Sequence, residues 1–328
     1  MSDLYKVPVL LILFNRPKYT SRTIEYLNMI KPESLYVHID GPRNQEDEDK
    51  INEVELMLKD LDKNINVTLK KNNENLGCGL GPVSAIDWFF ENEDHGIIFE
   101  DDVVPDKSFF EYCSILLEKY RDEKNIFMIS GDNGGPVVPL DLFENHKIMA
   151  IDIPIIWGWA TWRDRWNKYK FQIEKINFIN TFKNLKKFYF FERIIIINFL
   201  KRATKKRDID FWDIQLFYML VMNNNQCLIP SVNLVKNIGF DGDATHTKEI
   251  ISRSFSETHE IKIVNHDFIE SNKSINSRMI YLITTQMNSD QVYKKLILSL
   301  RVNYLYRRYT YYFNSLKSKI NKTFSGKG

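Results

Sequence analysis

The stretch GIIFEDD at residues 96–102 decides the fold prediction, because a short apolar run ends there in three acidic residues. A short run of bulky apolar residues is typical of a strand buried on both faces, as in a parallel sheet. In open parallel sheets, ligands bind beyond the carboxyl ends of the strands. The stretch therefore predicts a buried parallel strand that delivers Glu100, Asp101 and Asp102 to a ligand-binding edge.

Similar apolar runs lie on both sides of this stretch, and helical patterns separate them. The runs occupy residues 7–14, 35–39, 65–69 and 126–129, and the helical patterns occupy residues 19–30, 47–61, 80–91 and 108–120. Regular alternation of strands and helices with short connections is the pattern of an α/β domain. The first 130 residues therefore predict a mostly parallel sheet flanked by helices.

The rest of the sequence is less regular. It predicts strands at residues 147–157, which run into an aromatic turn, and at 227–238, helices at 178–206 and 211–222, a loop at 239–247, and helices again after residue 272. We therefore expect a main domain at residues 1–248, with halves at 1–135 and 136–248. Residues 249–328 are expected to form a helical, basic C-terminal extension.

Composition argues against several classes of protein. The net charge of +2 gives no support for nucleic-acid binding, and three cysteines without metal-site spacing indicate free thiols in a reducing compartment. No apolar run approaches the roughly 20 residues that a transmembrane helix needs, and the first residues do not have the pattern of a signal peptide. These features predict a cytoplasmic protein.

The segment from residue 291 onward is basic. It contains nine lysines or arginines and no acidic residue, interleaved with leucine, tyrosine and phenylalanine. Such a pattern predicts either peripheral contact with the anionic inner face of the cell membrane or a helix packed on the body with a solvated basic face.

The three acidic residues at 100–102 predict a divalent metal site. Adjacent carboxylates at the end of a buried strand repel one another unless a cation neutralises them. Oxygen ligands suit Mg2+ or Mn2+, which usually share their coordination shell with substrate phosphates. A nucleotide diphosphate is therefore the natural ligand, although a solvated acidic loop or a helix N-cap would also place acidic residues here.

Polar residues also follow the neighbouring predicted strands. Asn15 and Arg16 follow the first strand, and Asp40 and Arg43 follow the second. Because the carboxyl ends of parallel strands meet at one edge of a sheet, we expect these groups to converge with the acidic triplet.

Glycines open the third predicted helix, in the pattern NLGCGLG at residues 75–81. Gly77 and Gly79 would let a phosphate or a sugar approach the backbone at the positive end of the helix. A plain tight turn would use glycine as well.

Four residues of the second half are further candidates, each with an ordinary structural alternative. Trp159 either stacks on a sugar ring or fills the core. Asp210 and Asp213 stand before and inside a helix, where an acidic residue is either a cap or a general base. His246 lies in a glycine-containing loop and is either a surface residue or a phosphate or metal contact.

Several of these motifs together resemble a known family. They are Asn15-Arg16, Asp40-Gly41, IFEDDVVPD at residues 98–106 with FFEY at 109–112, ISGDNG at 129–134, Phe211-Trp212-Asp213 and the loop that ends at His246. In this order they resemble the Golgi mannoside β-1,2-N-acetylglucosaminyltransferases and bacterial glycosyltransferases of surface-polysaccharide loci. The resemblance covers about residues 8–247 and leaves out the basic C-terminal segment.

The resemblance implies a GT-A fold that binds a UDP-sugar donor. Asp40 would contact the uracil, Arg16 the nucleotide and Asp101 the ribose. Asp102 would be the direct metal ligand, and Glu100 would face the donor sugar.

The resemblance also implies the reaction. The loop that ends at His246 would close over the pyrophosphate, and transfer would invert the anomeric carbon with Asp213 as base. Eukaryotic members of the family carry a second Asp directly after Phe-Trp-Asp as their base, whereas this chain has Ile214 there. The role then falls to Asp213 or to Asp210.

We therefore predict an inverting, metal-dependent hexosyltransferase. It would move GlcNAc or a related hexose from a UDP-sugar to a hydroxyl of a glycan or lipid-linked acceptor in bacterial capsule or O-antigen biosynthesis. A sugar-1-phosphate nucleotidyltransferase and a non-catalytic carbohydrate-binding protein remain alternatives. The former normally carries a basic, glycine-rich loop after the first strand, where this chain has Asn15-Arg16-Pro17.

Overall fold

The structure, a computed structural model, describes residues 5–134, 147–173, 175–203, 211–239, 268–271 and 276. The strands are β1 (Val9–Leu13), β2 (Ser34–Ile39), β3 (Asn66–Lys71), β4 (His95–Glu100), β5 (Val103–Pro105), β6 (Ile126–Ser130), β7 (Ile148–Ile151), β8 (Trp159–Trp162), β9 (Gln226–Pro230), β10 (Val235–Asn237) and β11 (Phe268–Glu270). The α-helices are α1 (Pro17–Ile30), α2 (Gln45–Met57), α3 (Gly77–Asn92), α4 (Lys107–Lys119), α5 (Arg163–Trp166), α6 (Phe178–Asn184), α7 (Phe190–Ala203) and α8 (Asp213–Asn223).

The described strands form one large sheet and one small one. The large sheet has nine strands in the order β11-β7-β9-β6-β8-β4-β1-β2-β3, and β5 pairs with β10 in a separate antiparallel ladder. β3, β2, β1 and β4 run parallel to one another, as β6 does to β9. Apolar side chains cover both faces of the large sheet, with α1, α2 and α4 on one face and α3, α7 and α8 on the other. The predicted mostly parallel sheet flanked by helices is thus confirmed.

The stretch WGWATW at residues 157–162 differs from the prediction, because it continues into a strand rather than ending in a turn. Its last four residues form β8, which lies between β4 and β6 and is antiparallel to both. Trp159 and Trp162 pack on opposite faces of the sheet. Gly158 has a φ of +64°, which a residue with a side chain rarely adopts, and it turns the chain into this strand.

The helix predicted at residues 178–206 is interrupted in the described part. α6 ends at Asn184, a 3-10 turn follows at Leu185–Lys187, and α7 begins at Phe190. Phe188 has an extended backbone and is 1% exposed. Burying this ring against the sheet outweighs the propensity of the sequence to continue as one helix.

The large sheet also takes a strand from beyond residue 248. β11 pairs in parallel with β7 and forms one edge of the sheet. The sheet therefore does not end at the predicted domain boundary. The helices predicted after residue 272 fall outside the described residues apart from Asn276. In the described part of the chain, no helix is both long and apolar enough to cross a membrane.

Candidate functional site

The carboxyl ends of β1, β2 and β4 lie side by side, because these three strands are adjacent and parallel. Arg16 follows β1 and Asp40 follows β2 within a few residues, and Glu100 is the last residue of β4. The structure therefore places the predicted polar clusters at one edge of the sheet. They form separate groups there, which differ in how their charges are balanced.

The first group contains the acidic triplet and Arg16. The Arg16 guanidinium donates to Asp101 Oδ1 at 3.2 Å and to Asp102 Oδ2 at 2.8 Å. Main-chain contacts fix both residues: the Thr23 hydroxyl donates to the Asp101 carbonyl at 2.9 Å, and the Ile238 amide donates to the Asp102 carbonyl at 2.8 Å. The start of α1 and the segment after β10 therefore hold the triplet from two sides.

Negative charge in this group exceeds the positive charge of Arg16. Burial, together with the charges of Asp102 and Asp101, raises the pKa of Glu100. Burial also raises the pKa of Asp101, with Asp102 adding to the effect, and it raises the pKa of Asp102 despite the contact with Arg16. A group whose carboxylates are this costly to ionise favours the approach of a cation.

Asp213 faces the same group from the opposite half of the chain. It is the first residue of α8 and is exposed. Its charge contributes to the raised pKa of Glu100, so the two carboxylates are close enough to interact. Asp213 Oδ1 accepts a hydrogen bond from the Ile214 amide at 2.9 Å, and the helix N-terminus favours the ionised form.

Tyr169 lies beside Asp213 and was not expected from the sequence. Its ring stacks on Trp166 at 4.5 Å between centroids, and its hydroxyl donates to the Trp212 carbonyl at 3.0 Å. Burial raises the pKa of Tyr169, and the charges of Asp213 and Asp87 add to this. Tyr169 belongs to no motif, and only the packing after α5 brings it to Asp213.

Trp159 does not line the surface of this group. It is 1% exposed and packs against Trp166 and Trp212, with ring centroids at 6.2 and 6.0 Å. A strand in the middle of the sheet leaves its ring no solvent-facing side. Of the two interpretations of Trp159, the structure therefore favours a core residue over a sugar-stacking residue.

Asp40 forms a second group, in which hydrogen bonds from the protein stabilise its carboxylate. It is 8% exposed. Its oxygens accept hydrogen bonds from the side-chain amides of Asn72 and Asn75 and from the main-chain amides of Gly41, Leu76 and Gly77, all at 3.0–3.1 Å. Asp40 thus anchors the start of α3, and in this conformation both oxygens are engaged rather than directed at a base.

The glycines at the start of α3 serve this anchoring. Gly77 has a φ of +75° and is half-buried, and Gly79 is buried. A side chain on Gly81 would come within 3.1 Å of Asp40 Oδ2. The tight-turn interpretation of this pattern therefore accounts for the packing that the structure shows.

Asn15 and Arg43 form a third group around Asp47. The Asn15 amide donates to Asp47, and the Arg43 guanidinium contacts both oxygens of Asp47 at 2.6 and 3.0 Å. The hydrogen bonds from Arg43 lower the pKa of Asp47 to about 2. These two predicted nucleotide contacts are therefore held at the start of α2, with the Arg43 side chain 57% exposed.

Asp132 is a further buried acid at the same edge that was not among the predicted site residues. It follows β6, is 2% exposed and accepts a hydrogen bond from the Gly134 amide at 2.8 Å. Burial raises the pKa of Asp132 to about 7. Its position directly after a buried parallel strand is the feature of the sequence from which Asp132 could have been predicted as a site residue.

A preformed metal-ligand cluster is not present within the described ranges, where no three His, Cys, Asp or Glu residues are grouped to hold a metal ion. The Arg16 guanidinium lies beside Asp102, 2.8 Å from its Oδ2. Gly239 also lies against Asp102, so closely that a Cβ on it would fall 2.3 Å from Asp102 Oδ2. Asp210 and His246 lie outside the described residues.

Comparisons with known proteins identify no family. No protein-family model and no curated protein matches the chain. Among solved structures, the chain is similar to glucosyl-3-phosphoglycerate synthase from Mycobacterium tuberculosis, crystallised in complex with Mg2+ and uridine diphosphate, at 13% identity and a TM-score of 0.27. The match covers 48% of this chain and 57% of that one, so the chain spans little more than half of that protein's length. A similarity this low carries no functional conclusion.

Proposed function

We propose that the protein is an inverting, metal-dependent glycosyltransferase with a UDP-sugar as donor. One observation carries the proposal: among the described residues, Arg16 is the basic group that contacts the carboxylates at residues 100–102, and the charge of Asp213 adds to theirs. A site with this excess of negative charge favours a divalent cation, and such cations bring diphosphates with them. A sugar nucleotide supplies the diphosphate, and the exposed acid at the start of α8 supplies a base.

Asp102 fits the role of protein ligand to Mg2+ or Mn2+. Its side chain is 14% exposed, whereas that of Asp101 is 6% exposed. The bound cation would neutralise charge on the departing diphosphate. Such cations take one or two carboxylates and complete their shell with phosphate and water oxygens, so three converging protein ligands are not required.

Arg16 and the other two acids of the triplet would orient the donor. The Arg16 side chain is 31% exposed, so it can contact Asp101 and Asp102 and still reach the nucleotide. We assign the ribose to the buried carboxylate of Asp101 and the donor sugar to Glu100, which lies on the side of Asp213. Asn15, Arg43 and the loop that ends at His246 remain proposed contacts of the nucleotide and the pyrophosphate.

Asp213 is the proposed general base. Its exposed carboxylate at the start of α8 would accept the proton of the acceptor hydroxyl as that oxygen attacks the anomeric carbon. Attack from the face opposite the diphosphate inverts the configuration. Asp210 is the alternative base. Tyr169, half-buried beside Asp213, would contact the acceptor ring.

The acceptor is proposed to be a glycan or a lipid-linked glycan, and the donor sugar GlcNAc or a related hexose. The setting would be bacterial surface-polysaccharide biosynthesis. These finer assignments rest on the motif resemblance.

A thermal-shift series would test donor binding. UDP and UDP-hexoses would be added with Mg2+, with Mn2+ or with EDTA, and stabilisation of roughly 3 kcal/mol is expected at 100-fold excess over Kd only when the metal is present. Asp102→Asn should remove this metal-dependent part, whereas Asp94→Asn, whose side chain is 84% exposed, should keep it. Stabilisation by nucleoside triphosphates alone would favour the nucleotidyltransferase, and no shift with any nucleotide would favour the non-catalytic carbohydrate-binding protein.

The base would be tested with Asp213→Asn. Donor affinity should stay nearly unchanged, while UDP release in the presence of an acceptor should fall by about 10² to 10⁴. Full activity in Asp213→Asn would reject the assignment and move attention to Asp210.

A further inference from the structure

An exposed apolar surface on α6 and α7 has no role in the site described above. We call it the phenylalanine patch and define it by Phe178, Ile179, Phe182 and Phe190. Phe178 is 42% exposed, Ile179 63% and Phe190 59%. Single exposed apolar residues are ordinary, but a contiguous group of large ones marks an interaction site.

The rings of the patch contact one another and form one surface. Phe178 and Phe182 stack with centroids 5.9 Å apart and an interplanar angle of 16°. Phe182 and Phe190 meet edge to face at 5.3 Å. Because α6 and α7 are joined by the buried turn at Leu185 and Phe188, the patch is held on a packed part of the protein rather than on a loop.

Two basic side chains lie over rings of the patch. The guanidinium of Arg193 lies 5.2 Å from the centre of the Phe182 ring, and the ammonium of Lys201 lies 5.3 Å from that of Phe178. Residues 175–203 contain seven lysines or arginines and one acidic residue, Glu192. Glu192 is only 8% exposed and Lys187 is paired with Asp152 and Glu270, so the other lysines and arginines give this segment a net positive charge.

We propose that the phenylalanine patch docks the protein on an anionic lipid bilayer. Aromatic rings insert at the boundary between headgroups and acyl chains, while lysines and arginines around them contact lipid phosphates. The combination of exposed phenylalanine with the basic side chains beside it matches this surface in both polarity and charge. The inference goes beyond the proposed function and does not depend on it.

The patch is connected to the candidate site through α8. α6 packs on α8, and the Asn184 amide donates to the carbonyl of Met222 at 3.0 Å. Met222 lies nine residues after Asp213 in α8, a distance of about 14 Å along a helix. The patch therefore belongs to the helices packed around α8, and Asp213 lies at the other end of that helix from this contact.

Vesicle co-sedimentation of the full chain tests the proposal. The probes are vesicles of phosphatidylcholine alone and of phosphatidylcholine mixed with phosphatidylglycerol. We expect binding only to the mixed vesicles, with weakening as salt is raised. The double variant Phe178→Ser/Ile179→Ser should bind at least about tenfold more weakly.

A matched control lies on the other side of the sheet. Met29 and Leu56 are 65% and 59% exposed on α1 and α2, so Met29→Ser/Leu56→Ser removes a similar apolar area. This variant should bind mixed vesicles like the unmodified chain. Equal urea midpoints for both variants would show that binding, not folding, was changed.

Three results would overturn the proposal. Equal binding to neutral and mixed vesicles, or none, would exclude an anionic bilayer as partner. Unchanged binding of Phe178→Ser/Ile179→Ser would assign membrane contact to another segment, such as the basic residues after 291. A changed sedimentation state of that variant without changed vesicle binding would assign the patch to a protein contact, with a second copy or with the chain's own C-terminal segment.

Discussion

Asp40 at the end of β2 and the acidic triplet at the end of β4 stand at the same edge of the sheet, with only β1 between their strands. Asp40 receives five hydrogen-bond donors from the start of α3 and its surroundings. Within the described ranges the triplet has one guanidinium in contact, that of Arg16, which binds Asp101 and Asp102. The difference teaches that a buried acid after a strand is not in itself a sign of function. What distinguishes a binding site is charge that the protein leaves unbalanced.

Asp40→Ala should have the largest effect on stability. It would remove the acceptor of the main-chain amides of Gly41, Leu76 and Gly77 and of the Asn72 side-chain amide, at a cost on the order of 4 kcal/mol. Urea unfolding measures this loss. Asp40→Asn keeps one acceptor oxygen and should lose less. A cost below about 1 kcal/mol for Asp40→Ala would contradict the anchoring role.

The pH dependence near Asp40 should be the next largest effect. Burial lowers the pKa of His38, which precedes Asp40 by two residues, to about 4. Below pH 6.5, His38 therefore binds fewer protons in the folded state than in the unfolded state. Its contribution to the free energy of unfolding is fully present above that pH and is lost as the pH falls toward 4. The loss is on the order of 3 kcal/mol.

His38→Leu tests this dependence, because it removes the titrating group from the buried side of β2. Urea unfolding at neutral pH and near pH 4.5 should show a smaller loss of stability for His38→Leu than for the unmodified chain. An equal loss in both proteins would assign the acid sensitivity to other residues.

The triplet should respond to charge removal in the opposite direction from Asp40. Glu100→Gln removes one of the repelling charges, so unfolding in EDTA should need about 1 kcal/mol more free energy, after allowance for partial exposure. The same variant should lose stabilisation by UDP and metal. Destabilisation in EDTA would mean that Arg16 balances the triplet after all.

The smallest predicted effect compares two glycines, one beside each acid. Gly239→Ala places a Cβ 2.3 Å from Asp102 Oδ2 and should lower metal-dependent UDP affinity about fivefold, since the carboxylate must shift. Gly81→Ala places a Cβ 3.1 Å from Asp40 Oδ2 and should leave that affinity unchanged. Ligand-titrated thermal shifts measure both, and equal affinities would contradict the close contact at Asp102.

The first half of the fold was predictable because its strands are apolar on both faces and its helices separate them regularly. The run at residues 96–99 is short and apolar, which was enough to predict β4 and to place the three acids at its end. The same local reasoning could not see β8, whose role in the sheet follows from the turn at Gly158 and from pairing with strands distant in sequence. Nor could it see β11, because three residues carry too little pattern to indicate a strand.

The sequence predicted which residues belong to the candidate site, but not which of them contact one another. That Arg16 and the acids share one edge followed from the expectation that their strands are parallel. That Asp40 is occupied by the start of α3 depends on side-chain geometry that the sequence spacing does not indicate. The pairing of Arg43 with Asp47, four residues on, fits a common spacing of opposite charges but was not predicted. Tyr169 illustrates the same limit, since its nearness to Asp213 arises only from packing on Trp166.

The edge strand β11 has a consequence for how the chain folds. β7 pairs with β9 on one side and with β11 on the other. Ion pairs from Lys187 to Asp152 at 2.9 Å and to Glu270 at 3.2 Å hold β11 in place. Contacts between such distant parts of a sequence slow folding, and until they form, β7 presents an unpaired edge. A chain cut before Phe268 should therefore aggregate during refolding, and deletions aimed at the basic C-terminal segment should begin after Asn276, whose amide binds Asp152 at 2.7 Å.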